Sequence, residues 1–296
     1  MNRSRSIALI KLLSAMTIFG TIGLFVRYIS LPSSVIALAR GMIGVLFLLV
    51  LMGIRKHKIS MDAFKQNMKY LLLSGICIGF NWIFLFEAYR YTSVAVSTLC
   101  YYMAPVFVIL VSPVALKESL TTKKILCVLT ALIGMVFISG ILNTAKLKIT
   151  ELKGVIFGLL AAALYASVMI FNKKITQINA YDKTVFQLSI SALTLIPYCF
   201  ITVDSSQLTF NTTSLLALIF VGIVHTGFTY FLYFGAMDHL KGQTVAVLSY
   251  LDPVVAVIIS ALILREGMDI FMLIGSLLII GSAICLEFPS KRKINL

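Results

Sequence analysis

The chain has 296 residues, of which 60% are hydrophobic and 12% are charged, and its mean hydropathy is +1.02. Soluble domains contain about 45–50% apolar and about 25% charged residues, so this composition excludes a soluble globular protein and indicates an integral membrane protein. The net charge of +14 arises mostly from basic residues in short polar segments between apolar runs. This distribution is typical of a membrane topology signal, and we expect no nucleic-acid partner.

Apolar stretches of about 20 residues, the length that crosses a bilayer, recur along the whole chain. The first follows Arg3, Arg5 and Lys11 as a signal peptide would, but no small-residue cleavage pattern follows it. We therefore expect a retained first transmembrane helix. Hydropathy predicts an all-α protein with ten membrane spans and short connections that leave no room for a separate domain. The predicted spans are 7–26, 34–53, 68–89, 93–115, 124–142, 154–172, 184–203, 214–235, 242–264 and 270–287.

The five cysteines all fall inside apolar segments, and none forms a C-x-x-C pair. This pattern favours buried, reduced thiols over disulfides or a zinc site. We expect neither a metal nor a cofactor.

The distribution of basic residues predicts the orientation in the membrane. If the N-terminus is cytoplasmic, 18 Lys and Arg side chains lie on the cytoplasmic side and 6 on the outer side, with Arg40 inside a span. Cytoplasmic loops carry the excess of Lys and Arg. The sequence therefore predicts a multi-pass protein of the plasma membrane with both termini in the cytoplasm.

One stretch occurs twice. The segment Tyr102-Met103-Ala104-Pro105-Val106 and its apolar continuation to Glu118 return 148 residues later as Tyr250-Leu251-Asp252-Pro253-Val254 and a continuation to Glu266. The duplication divides the chain into repeats 1–149 and 150–296, each with five predicted spans. Because five is odd, the second repeat must be inverted relative to the first, and inverted repeats hold their shared site near the bilayer midplane.

Several stretches resemble the EamA family of the drug/metabolite transporter superfamily. They are Ala39-Arg40 in the second span, the run from Phe86 to Ala95 that enters the fourth span, and the two Pro-Val helices that end in Glu. The resemblance implies transport of small metabolites, often export of amino acids or related compounds. The sequence departs from an even duplication at one point, since Asp252 precedes the second proline and Ala104 the first.

Asp252 is the strongest candidate for a functional side chain. It lies about ten residues into its span, near the midplane at a rise of about 1.5 Å per residue. An ionisable group at that depth usually faces a partner or a water-filled cavity. We expect Asp252 to bind a substrate amine or a proton; the structural alternative is that it binds backbone donors freed near Pro253.

His225, Thr229 and Tyr233 recur every four residues, which places them on one face of a predicted α-helix. Their counterparts in the first repeat are Cys77, Asn81 and Leu85. Matching polar stripes favour two walls of one cavity, with hydrogen bonding between helices as the alternative.

Aromatic side chains with polar groups lie at similar depth, and they suit an amphipathic organic molecule. Core packing is the alternative for each. They are Trp82, Tyr101, Tyr102, Tyr165, Tyr230 and Tyr250.

Pro105 and Pro253 each remove a helical hydrogen bond and bend the helix, so we interpret both as hinges.

Three charged residues are interpreted as structural. Arg40 lies in the outer third of its span, where it can extend outward to the interface. Glu118 and Glu266 lie at span ends, where they can fix the end of a helix.

These features predict a secondary transporter, an exporter of a small organic metabolite such as an amino acid, working by alternating access. The alternative is a membrane-embedded enzyme or flippase acting on a lipid-linked substrate. The expected partners are the metabolite and the lipid bilayer, with protons as the candidate coupling ion. The small-residue pair Gly75 and Gly79 allows close helix packing, and a monomer or weak dimer is expected.

The charge asymmetry yields a direct test of topology. A reporter fused after Leu296 should be active only in its cytoplasmic form, because the basic excess holds that end inside. Paired fusions of a cytoplasmic and a periplasmic reporter measure this. Periplasmic activity at the C-terminus would overturn the predicted orientation.

Overall fold

A computed structural model describes residues 3–57, 59–92, 94–138, 152–204, 206, 208–263 and 270–287. The described part is helical, with no strand. The helices of the first half are α1 (Arg3–Gly20), α2 (Ile22–Val26), α3 (Ser33–Ile54), α4 (Met61–Tyr91), α5 (Val94–Tyr101), α6 (Ala104–Ala115) and α7 (Thr122–Ile138). Those of the second half are α8 (Leu152–Lys174), α9 (Ala180–Thr202), α10 (Thr212–Phe220), α11 (Thr229–Met237), α12 (Gly242–Leu248), α13 (Leu251–Leu262) and α14 (Ile270–Glu287).

The predicted fold class, an all-α membrane protein built from two repeats, is confirmed. Among the described residues, eight helical spans are long and apolar enough to cross a membrane, and Ile270–Leu286 forms a shorter apolar helix. The fifth predicted span corresponds to α7, which has 17 described residues and packs against α14. The predicted boundary between residues 149 and 150 lies outside the described residues, as do both ends of the chain.

Helix packing follows the duplication. The first span of the first repeat (α1) packs against the third span of the second repeat (α11). In the same way, the third span of the first repeat (α4) packs against the first span of the second repeat (α8). The two second spans, α3 and α9, pack against each other, as do α7 and α14. An approximate twofold axis between the repeats produces this exchange, and it leaves the fourth and ninth spans at the centre.

Polar side chains mark three of the helix starts. Ser60, Asn179 and Asn211 precede α4, α9 and α10, and each side-chain oxygen accepts a hydrogen bond from a backbone N–H of the first turn. Such caps satisfy donors that the helix itself leaves free. They fix where each long apolar run becomes helical.

Small residues let α4 and α9 approach each other closely, as the sequence predicts. A Cβ atom on Gly75 would lie 2.6 Å from the Cβ of Ile190, and one on Gly79 would lie 2.6 Å from the Cβ of Thr194. Both glycines therefore face α9 with no space for a side chain. In membranes, where helices associate through packing, such contacts are a principal source of stability.

Gly79→Val should destabilise the fold, because its side chain must push α4 away from α9. Overpacking of this kind costs about 1–3 kcal/mol. Gly281→Val is the matched control, since a Cβ atom there meets nothing within 4 Å. Thermal unfolding in detergent should show a lower midpoint for Gly79→Val alone; equal midpoints would contradict the packing described.

Candidate functional site

The fourth and ninth spans are each interrupted near the middle. Residues 102–103 separate α5 from α6, and residues 249–250 separate α12 from α13. Pro105 and Pro253 lie in the first turn of the second segment in each case, where a missing N–H removes no helical hydrogen bond. The sequence predicts a bent but continuous helix at each proline. The structure instead has two short helices joined by non-helical residues.

The two interruptions contact each other. The hydroxyl of Tyr250 donates to the backbone carbonyl of Tyr102 at 2.8 Å, and the hydroxyl of Tyr102 donates to Oδ2 of Asp252 at 3.2 Å. An unsatisfied backbone carbonyl is costly inside a membrane. The Tyr250 side chain of the second repeat therefore provides a hydrogen-bond donor for the Tyr102 carbonyl at the interruption in the first repeat.

A cavity of about 380 Å³ lies beside these interruptions. It runs from Ser249 and Asp252 toward the membrane face where α2 ends and α3 begins, reaching Val26 and Ser33. Eight of the residues singled out in the sequence line it. They are Arg40, Trp82, Tyr101, Tyr102, Pro105, Tyr165, Tyr230 and Asp252.

Aromatic rings form a large part of the cavity wall, with eight of the 21 lining residues. Tyr101 and Tyr165 stack with their centroids 5.5 Å apart, and Trp82 meets Tyr230 edge to face at 6.3 Å. The hydroxyl of Tyr165 is hydrogen-bonded to that of Tyr233 at 2.8 Å. These contacts fix the rings, so the wall offers a rigid apolar surface with hydroxyl groups at its edge.

One anionic and one cationic side chain face this cavity. Asp252 accepts the hydrogen bond from Tyr102, and its backbone carbonyl lies 2.6 Å from where a Cβ atom on Gly20 would be. The guanidinium carbon of Arg40 lies 4.5 Å from the centroid of the Trp82 ring. Among the described residues, neither Arg40 nor Asp252 forms a salt bridge. In the described part of the chain, the cavity therefore presents one acidic and one basic side chain that form no ion pair.

The position of Arg40 differs from the expected one. Instead of extending outward to the interface, the side chain turns into the cavity and rests on Trp82. Its Nε atom is buried and has no hydrogen-bond partner among the described atoms. A cation–π contact holds one face of the guanidinium without using its N–H groups, so these donors remain for another partner.

Four other predicted residues do not line the cavity. Asn81 donates to the carbonyl of Ala161 at 2.6 Å, between α4 and α8. Thr229 donates to the carbonyl of Val224 at 2.7 Å within its own helix. Tyr250 is fully buried, and His225 contacts Thr21 between α1 and α2. In the structure, all four make contacts within the protein.

His225 lies in a π-helix, and Thr229 follows it directly. Residues Val221–Phe228 form π-helical turns, whose hydrogen bonds run from residue i to i+5, so the angular spacing of an α-helix does not apply. His225 Nε2 lies 3.0 Å from Oγ1 of Thr21. Thr21 uses its proton on the carbonyl of Ile18, so its oxygen must accept from Nε2–H. His225 Nδ1 then has no partner among the described atoms.

Sequence reasoning missed the part of the cavity that α1, α2 and α3 provide. Met16, Phe19, Ile22 and Val26 line it, yet in the sequence they are ordinary members of an apolar span. Thr98 and Ser249 were also missed, although both are polar residues at mid-span. The duplication could have pointed to Ser249, which lies directly before Tyr250.

The opposite end of the central helices is held by charged side chains. Lys173 Nζ donates to the carbonyls of Met237 and Leu240 at 2.7 and 2.6 Å. Lys183 Nζ, which is fully buried, donates to Asp238 at 2.6 Å and to the carbonyl of Phe234 at 3.0 Å. Both lysines therefore satisfy carbonyls at the C-terminal end of α11.

Glu118 fixes the end of a helix in the other repeat. Its carboxylate accepts from the backbone N–H groups of Gly242 at 2.7 Å and Gln243 at 3.2 Å, at the start of α12. A carboxylate is favourable at a helix N-terminus. Glu118, Lys173, Lys183 and Asp238 are called the polar end cluster below. Glu266, the counterpart of Glu118, lies outside the described residues.

The model of the EamA-like transporter family matches residues 6–140 and again 152–288. Among curated proteins, the chain is 29% identical over 281 residues to the uncharacterized transporter YxxF of Bacillus subtilis, covering 94% of this chain and 88% of that protein. It is 27% identical over 229 residues to a protein of Salmonella typhimurium named "Probable amino-acid metabolite efflux pump", covering 73% and 76% of the two chains.

A solved crystal structure has the same fold. It superposes with a TM-score of 0.84, covering 97% of this chain and 99% of that chain, at 19% identity. At this identity the likeness concerns the fold alone.

Neighbouring residues on α5 test the position of the cavity. In a variant whose five native cysteines are replaced by Ala, Thr98→Cys should react readily with a small water-soluble thiol reagent, because Thr98 lines the cavity. Ser97→Cys should stay unmodified, because Ser97 is fully buried and a thiolate without access to water does not react. Mass spectrometry measures both. Equal labelling of the two positions would contradict the cavity's position.

Proposed function

Because the chain belongs to the EamA-like transporter family, we propose that it is a secondary transporter that exports an amino acid or a closely related metabolite. The observation that carries this proposal is the pair of unpaired charges, Arg40 and Asp252, in one aromatic cavity. The relative named as an amino-acid metabolite efflux pump supports it. The protein is a multi-pass membrane protein, and we assign it to the plasma membrane with both termini cytoplasmic.

The charges favour a zwitterion. An isolated Arg or Asp at mid-membrane costs about 2.5–3.5 kcal/mol on insertion scales, so two uncompensated charges need a partner that carries both signs. A bound amino acid can direct its carboxylate to Arg40 and its ammonium group to Asp252. Its side chain then lies against the wall formed by Trp82, Tyr101 and Tyr165. A cavity of about 380 Å³ falls in the range of about 300–1,000 Å³ found for ligand pockets.

Asp252 is also the candidate site for a coupling proton. A carboxylate can carry a proton or an ammonium group, and the two compete for the same oxygens. Competition at one site is a simple means of exchanging substrate for protons across the membrane. We propose this exchange as the coupling mechanism.

Alternating access then requires two movements. The cavity opens toward the end of α2 and the start of α3, while the polar end cluster ties helices together at the opposite membrane face. Export requires the contacts of Glu118 with the start of α12 in the second repeat to break, and α2 to close over the cavity. The interruptions before Pro105 and Pro253 are the proposed hinges, and a monomer or weak dimer suffices because each chain has its own cavity.

Transport assays in proteoliposomes test the proposal. Purified protein should move members of a panel of radiolabelled amino acids, and a pH gradient should drive net flux. Asp252→Asn, which keeps the size of the side chain, should reach the membrane normally and lose at least about tenfold in net transport, the equivalent of about 1.4 kcal/mol. Asp204→Asn is the control, since Asp204 is an exposed carboxylate outside the cavity.

Substrate counterflow without a gradient separates the two roles of Asp252. Counterflow that survives in Asp252→Asn assigns the residue to the proton, and counterflow that fails assigns it to the substrate amine. Wild-type transport in Asp252→Asn would remove the residue from the site. In protein that moves no amino acid, chemical conversion of a lipid-linked substrate would instead favour the membrane-embedded enzyme, and its movement between leaflets would favour the flippase.

A further inference from the structure

A second cavity lies away from the transport site, at the membrane face where α3 ends and α9 begins. Its volume is about 470 Å³. Its lining contains three consecutive basic or titratable residues and no carboxylate. The lining residues are Met52, Arg55, Lys56, His57, Asn179 and Tyr181. None of them belongs to the central cavity, so the proposed mechanism leaves this concave basic surface unexplained.

Specific contacts hold these side chains around the cavity. The guanidinium carbon of Arg55 lies 5.8 Å from the centroid of the Tyr181 ring, and Tyr181 is itself stacked on Phe231 at 4.2 Å. His57 Nε2 is 2.8 Å from Oδ1 of Asp182. Contacts within the protein therefore position Arg55, His57 and Tyr181 around the cavity.

The backbone adds to this arrangement. Lys56 adopts a left-handed conformation with φ of 51°, which costs a non-glycine residue roughly 1–2 kcal/mol. That turn ends α3 and directs the chain so that residues 55–57 all reach the same cavity. The first turn of α9, with Asn179 as its cap, brings the positive end of a helix dipole to the other wall. The Asp182 carboxylate in that first turn pairs with His57, which leaves Arg55 and Lys56 as the basic side chains that can attract an anion to the cavity.

The neighbouring surface identifies the anion as part of a lipid. On α3, Val50 is 60% exposed and Ile54 is 73% exposed, so this side of the helix faces the hydrocarbon region directly below Arg55. A ligand that has a phosphate in the cavity and acyl chains along α3 satisfies both surfaces. Basic pockets between transmembrane helices at a membrane surface bind anionic head groups.

We propose that this cavity binds the phosphate head group of an anionic phospholipid such as phosphatidylglycerol. Arg55 and Lys56 contact the phosphate, Asn179 and Tyr181 offer polar groups to the glycerol, and the acyl chains lie along Val50 and Ile54. The bound lipid joins the end of α3 to the start of α9. It stabilises the contact between the two second spans.

Thermal unfolding of the full-length protein in a neutral detergent tests this site. Added phosphatidylglycerol should raise the midpoint by about 4 °C or more, because a ligand that binds only the folded state stabilises it. Phosphatidylcholine at the same concentration should have little effect. Arg55→Ala/Lys56→Ala should lose the shift produced by phosphatidylglycerol.

Lys65→Ala/Lys69→Ala is the matched control. It removes two basic residues from the same membrane face, and both are exposed on the first turns of α4, outside the cavity. This variant should keep the full shift. If the Arg55→Ala/Lys56→Ala variant does not fold, two other measurements replace it. One uses the variant Arg55→Gln/Lys56→Gln. The other is native mass spectrometry of the wild-type protein, which should retain phosphatidylglycerol over phosphatidylcholine.

Three results would overturn the proposal. Equal shifts with the two lipids would remove the need for an anionic head group. Equal loss in both pairs of variants would mean that surface charge in general, and not this cavity, attracts the lipid. A full shift with glycerol phosphate alone would assign the site to a soluble phosphate compound.

Discussion

The structure depends on the contact between its two interrupted helices. A break in a membrane helix leaves carbonyl groups that water cannot reach, and the hydrocarbon offers no substitute. The Tyr250 hydroxyl meets this requirement by donating to the carbonyl of Tyr102 at 2.8 Å. The two residues are equivalent in the duplication, so the breaks must lie at the same depth for the bond to form. That shared depth determines the position of the cavity and of the Asp252 carboxylate beside it.

A symmetric scaffold thus carries an asymmetric site. Ala104 and Asp252 occupy equivalent positions beside the two breaks, yet only the second bears a charge. The Tyr102 hydroxyl, from the first repeat, donates to that carboxylate at 3.2 Å, so the first repeat supplies a donor and the second an acceptor. Arg40, which belongs to the first repeat, then supplies the opposite charge. Each repeat contributes one pole of the site, and neither repeat alone forms it.

Hydropathy and the duplication allow the membrane spans and the repeats to be predicted from the sequence. Features that depend on how the helices pack against one another could not be predicted. The repeat, most spans and the approximate positions of the two helix interruptions are readable because membrane length and helix breaking are local properties. The inward turn of Arg40 was not predictable, since it depends on Trp82 from another span. The π-helix that contains His225 also could not be predicted, because it leaves no mark in apolar periodicity. Non-local contacts and helix type therefore account for these departures.

The two ends of the central helices are held by different kinds of contact, and this difference bears on how the protein can move. Apolar and aromatic side chains line the open end, whereas charged side chains hold the closed end. Lys173 and Lys183 bind carbonyls of Met237 and Phe234 within the second repeat, and Glu118 of the first repeat binds the start of α12 in the second. A hydrogen bond to a charged group contributes about 1.5–3 kcal/mol net, because water replaces much of what is lost when it opens. Water entering from the adjacent membrane face can solvate these groups as they separate. A closed end made of polar contacts can therefore open at modest cost, whereas separation of a packed apolar core would forfeit its full burial energy. A substrate that binds the two states with different affinity has only to supply that modest difference to shift the population.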